Sequence, residues 1–197
     1  MKGKLAWLST VGGILWGIKP IYDVLYNGRT MNTGYAPADP TDYISFIFPL
    51  FCIGSLIVIH SLYQKKVRNS VILLMASVIL SGSFHFFEIY YYGSHMLFGF
   101  IFLFIGTVCM IIGSAYLFFQ LKKVKGTRRL LLWSAAVLFL DNFLLIVTAF
   151  LSGVLPIELT NPIAAVLMVS VGFIWATFGL ASLQLVKLDE KNRPLVN

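Results

Sequence analysis

Residues 97–129 read LFGFIFLFIGTVCMIIGSAYLFFQLKKVKGTRR. The first 25 contain no Asp, Glu, Lys, Arg or His, and five of the last eight are basic. A bilayer core of about 30 Å needs about 20 apolar residues in a helix that rises about 1.5 Å per residue. The stretch therefore reads as a membrane-spanning helix ending in a positively charged anchor. Apolar and polar residues do not alternate with period two, which argues against a membrane barrel.

Working outward, five more stretches of similar length and apolarity occupy residues 5–26, 44–63, 71–92, 130–151 and 163–186. With 97–121 they predict an all-α integral membrane protein of six transmembrane helices joined by short loops. Residues 1–197 form one polytopic domain. The whole chain agrees with this: 58% of its residues are hydrophobic and 12% charged, against about 25% charged in an average soluble domain. A soluble globule would lack polar surface, and a disordered chain would be poor in apolar residues. Cys52 and Cys109 lie in apolar runs and form neither a disulfide framework, a metal spacing nor a paired redox motif. No glycine-rich phosphate loop and no internal repeat is evident.

The net charge of +7 is explained by where it falls. Thirteen of the fifteen Lys and Arg residues lie in the N-terminus, the second and fourth connections, and the tail. The first, third and fifth connections hold only Arg29, and Lys19 lies within a span. This positive-inside pattern predicts both termini in the cytoplasm, and the cell (plasma) membrane is the expected location. The charge then requires no nucleic acid, and the lipid bilayer is the expected partner. The run 122–129 reads as a topology determinant, or as a site for anionic lipid or a partner.

Helix boundaries carry local signals. Segment 27–43, NGRTMNTGYAPADPTDY, is the longest loop, and Asp42 is the expected N-cap of the second helix. Asn161-Pro162 reads as an N-cap followed by proline at the first position of the sixth. Lys2 and Lys4 before an apolar run imitate a signal peptide, but Lys19-Pro20 interrupts that run, so the first helix is expected to be retained. Pro20 would free the carbonyl of Trp16, and Pro49 that of Ser45. Glycines recur every seven residues at 99, 106 and 113, as do Ala165, Gly172 and Gly179, while Gly13 and Gly17 are four apart. Such faces allow close helix packing within the chain, or docking of a second copy or partner subunit through the fourth or sixth helix.

Ionisable groups inside spans are costly and usually functional. On the outward-running first, third and fifth helices, Lys19, Asp23, His85, Glu88, Asp141 and Asn142 all fall in the outer half. Ser77, Ser81, His85, Glu88 and Tyr92 share one face, and Ser134, Asp141 and Thr148 recur every seven residues. The expectation is one outward-facing polar pocket that binds or transports a small solute, cationic or proton-coupled. Each group also has a plainer reading. Lys19 and Asp23 could pair one turn apart, Glu88 could be a solvated end residue, and His85 a neutral core histidine. His60 reads as structural, and His95 is open to either reading.

Two alternatives differ in class. A membrane-embedded enzyme would use His85, Glu88 and Asp141 as acid–base or metal-ligand groups, though one His and one carboxylate on a face is a weak signal. Ser81 and His85, one turn apart, are an equally weak hydrolase signal. A non-catalytic accessory, sensor or immunity-type subunit would make its contact through 27–43. No catalytic residue can be assigned, and no metal or cofactor is expected.

Overall fold

The computed structural model describes residues 1–27, 40–90, 96–124 and 128–192. These are helical with no strand among them. Helix α1 is Lys2–Asn27. The second apolar segment is three helical pieces, α2 (Asp42–Ser45), α3 (Ile47–Phe51) and α4 (Ile53–Tyr63). A 3-10 turn at Gln64–Val67 leads into α5 (Arg68–Tyr90), followed by α6 (Met96–Lys122), α7 (Arg129–Leu151) and α8 (Ile157–Asn192).

Among the described residues, four helical stretches are long and apolar enough to cross a membrane: Asp42–Phe87, Leu97–Lys122, Arg129–Leu151 and Glu158–Lys191. The first, at 46 residues, is far longer than one crossing needs. It folds back on itself at Gln64, whose φ of 48° reverses the chain, and α3 and α4 then pack against α5. Helix α1 is not among the four. Ser9, Thr10, Gly12, Gly13, Gly17 and Lys19 lower its apolarity, and most of them are used for packing.

The element ends differ from the sequence expectation in three places. Thr41 takes the N-cap position of α2 and makes no side-chain cap bond. Asp42 is the first helical residue instead, because its carboxylate is engaged elsewhere. Asn161 does not cap α8, which starts at Ile157 and keeps Pro162 inside. Pro156 already ends the preceding turn, and its carbonyl accepts the N–H groups of Leu159 and Thr160. Pro162 then forgoes a single backbone bond. Finally, Pro20 lies inside an unbroken α1, whereas the second segment breaks at Phe46 and Cys52 on either side of Pro49. At the second break the Cys52 carbonyl accepts the hydroxyls of Ser9 (3.3 Å) and Ser55 (2.9 Å).

The core is filled. Leu56, Leu74, Leu117, Leu138, Trp175 and Phe178 are fully buried and belong to one cluster drawn from α4 to α8. A smaller cluster of Ala6, Val58 and Val186 joins the start of α1 to the ends of α4 and α8. Lys2 pairs with Asp189 at 3.5 Å, and Ser70 donates to Gln120 Oε1 at 2.8 Å. These contacts gather the basic-rich helix ends at one end of the bundle.

Both glycine stripes are covered within the chain. A Cβ on Gly13 or Gly172 would overlap backbone of the facing helix, α8 or α1, and one on Gly179 would overlap Thr10. The glycines at 99, 106 and 113 face Phe84 and Phe87, Ser77 and Leu80, and Leu73 and Leu74 of α5. Outward, α6 presents Phe98, Phe104 and Phe119, and α7 presents Trp133 and Phe150, as a lipid-facing surface would.

Candidate functional site: a polar seam between two helices

The heptad Ser134, Asp141 and Thr148 lies on the buried side of α7. Seven residues are nearly two turns, so the three groups sit about 10 Å apart along one line. Two of them meet hydroxyls of α8 at the same spacing. Ser134 Oγ and Thr177 Oγ1 are 2.8 Å apart, and Ser170 Oγ hydrogen-bonds Asp141 Oδ1. The α7–α8 seam is thus a polar ladder of two rungs, with Thr148 beyond.

Asp141 makes its rung the ionisable one. It is 7% exposed, and its Oδ2 is buried without a hydrogen-bond partner. A cavity of about 390 Å³ adjoins it, lined by Val137, Val166, Val169, Ser170, Phe173, Ile174 and Thr177. Val137, Val166 and Phe173 are exposed, so the cavity opens at the outer surface of the bundle rather than into its core.

The Ser170 hydroxyl lies within bonding distance of both Asp141 Oδ1 and, at 2.9 Å, the Leu167 carbonyl. A hydroxyl has one proton to give. When Asp141 is ionised, Ser170 donates to the carboxylate. When Asp141 carries a proton, the carboxylic acid donates to Ser170, which turns its own proton to Leu167. The upper rung has the same freedom, since Ser134 also reaches the Leu130 carbonyl (2.8 Å) and Thr177 that of Ile174 (2.7 Å). Both charge states of Asp141 find a bonded arrangement without moving a helix.

Lys19 is placed elsewhere. Its Nζ pairs with Asp42 Oδ1 at 2.6 Å, with side chains only 11% and 2% exposed, and lies 5.7 Å from the Tyr22 ring. This clamp fixes α1 to the start of the second segment. Gly17, half a turn before Lys19, abuts Gly172 and Val169 of α8. Ser170 and Gly172 are two residues apart and point to nearly opposite sides of α8. Lys19 and Asp141 thus lie at similar depth with α8 between their helices.

The other expected residues fall as follows. Asn142 is buried and donates to the Leu138 carbonyl of its own helix at 2.9 Å. His85 is half-buried on α5 with its ring 5.3 Å from that of Phe84. Helix α5 packs on α6 and the second segment, whereas α7 packs on α6 and α8. The side chains of Asp23 and Glu88, residues 28–39 of the long loop, and His95 lie outside the described residues. Among the described residues, no three His, Cys, Asp or Glu side chains come together as a metal site would require.

Sequence reasoning missed three participants: Asp42, Ser170 and Thr177. Asp42 had a local role as a cap that competed with a distant one. Ser170 and Thr177 are lone hydroxyls in an apolar helix, but their seven-residue spacing matches that of Ser134 and Asp141 and was available as a signal. No family model, no curated protein and no solved structure matches the chain.

Proposed function

We propose that the chain is a six-span protein of the cell membrane, with both termini cytoplasmic, that binds and passes a proton or small cation at Asp141. The observation that carries this reading is a buried carboxylate in an apolar helix, with one oxygen bonded to Ser170, the other buried without a hydrogen-bond partner, and a cavity beside the residue. A charge at that depth is costly unless a proton or cation compensates it. Six crossings follow if α1 spans and the 46-residue stretch spans twice, and the parity of the basic residues supplies the orientation. The apolar core cluster favours a route along the α7–α8 seam over a central pore. Lys19 and Asp42 hold the neighbouring helices in this reading and do not contact the solute.

The test uses the full chain in vesicles holding a pH-sensitive dye, under imposed sodium, potassium or proton gradients. Flux that Asp141→Asn abolishes, in a protein that still folds, is the expected result. Equal flux in wild type and variant, or no flux in wild type under any gradient, overturns the reading.

A further inference from the structure

A second cavity, of about 370 Å³, lies between α5 and α6 at the basic end of the bundle, far from Asp141 in the chain. Its lining is Asn69, Ile72, Leu73, Tyr116 and Gln120. The positions 69, 72 and 73 on α5, and 116 and 120 on α6, are one-face spacings, so two helical stripes form its walls. Toward the middle of the bundle the walls are apolar, with Ile72 and Tyr116 about half exposed. Toward the helix ends they become amides. Gln120 uses its oxygen to accept from Ser70, which leaves its NH2 to donate outward. Asn69 is exposed beside it.

Positive charge surrounds that polar end. Lys123 extends the stripe of Tyr116 and Gln120, held one turn on by its own N–H donating to the Gln120 carbonyl (3.3 Å). Arg68 precedes Asn69, and Lys65 and Lys66 occupy the 3-10 turn before it. Among the described residues none of these four forms a salt bridge, and all four are exposed. An apolar slot open at the side, capped by amide donors and unpaired cations, matches an acyl chain continuing into a phosphate. From this we infer that the α5–α6 cleft binds one anionic phospholipid, with acyl chain along Ile72 and Tyr116. Its phosphate lies among Asn69, Gln120, Arg68 and Lys123. Basic clefts between membrane helices at the cytoplasmic level recognise anionic headgroups in this manner. Charge complementarity selects lipid over a second protein copy, which would bring the same positive end and repel.

The full chain, purified in a mild detergent and titrated with phosphatidylglycerol or phosphatidylcholine, tests this by native mass spectrometry. One phosphatidylglycerol per chain should be retained in preference to phosphatidylcholine, and a large excess of inorganic phosphate should not displace it. Lys123→Gln should weaken retention about fivefold, the effect of one basic residue near an anionic headgroup. Asn69→Leu, which leaves the charge unchanged and fills an exposed polar position, should weaken it by a similar factor. Lys187→Gln, at the same bundle end but on α8, should leave retention unchanged. Equal retention of the two lipids, displacement by phosphate, or an equal loss in Lys187→Gln would overturn the inference.

Discussion

Helix α8 meets two neighbours in opposite ways. Toward α1 it presents Gly172, Ala176 and Gly179, and a Cβ added at either glycine would overlap α1. Toward α7 it presents Ser170 and Thr177, which bond side chains across a seam with space beside it. Between apolar helices in lipid there is little hydrophobic drive to associate, so close backbone packing and interhelical hydrogen bonds do the work. The first seam is rigid because any enlargement collides with backbone. The second is adjustable because each hydroxyl has two acceptors within reach. In the proposed function, the rigid contact on one face of α8 supplies a fixed reference for the proton- or cation-binding group across the other.

The largest expected effect comes from breaking the rigid face. Gly172→Leu forces α1 and α8 apart, and the cost should exceed about 3 kcal/mol, seen as loss of monodisperse folded protein in detergent. Next is the buried clamp. Lys19→Met strands the Asp42 carboxylate and should lower stability by about 3 kcal/mol, whereas adding Asp42→Leu should recover most of it. Failure of the double variant to recover would show that the pair has a role beyond compensating two charges. At the adjustable face effects should be smaller. Ser170→Ala removes the donor to Asp141 and should cost about 1 kcal/mol in denaturation, with a larger proportional loss of the proposed ion flux. The Ser134–Thr177 rung joins two neutral groups, so a Ser134→Ala/Thr177→Val double-mutant cycle should give a coupling of about 0.6 kcal/mol. If that coupling equalled the Ser170 effect, the two rungs would be doing the same job and Asp141 would not be distinguished. Gln64→Gly relieves the positive φ at the turn and should raise stability by about 1 kcal/mol, without touching either seam.

The residues show which parts of this were legible beforehand. Gly13, Gly17, Gly172 and Gly179 announced close packing by their spacing, but nothing in a single sequence says that they pack on each other. Ser134, Asp141 and Thr148 announced a polar stripe. Its partner could not be identified from charge, because the facing groups are hydroxyls that a helix interior ordinarily absorbs by bonding its own carbonyls. Lys19 was visible as a cation at depth, yet Asp42 is 23 positions away, across a loop whose path is not fixed by local propensity. Grouping by depth alone placed Lys19 with Asp141. Depth says nothing about which side of an intervening helix a residue occupies, and α8 is the intervening helix.

Two buried carboxylates therefore offer the most direct comparison. Asp42 is bonded to Lys19, and Asp141 has a buried oxygen without a hydrogen-bond partner. Dicyclohexylcarbodiimide attacks protonated carboxyl groups in apolar surroundings, and peptide mapping after treatment of vesicles holding the full chain locates the adducts. The account predicts modification at Asp141, slowed by added sodium or potassium, with Asp42 untouched. An unmodified Asp141, or equal modification at both positions, would contradict it.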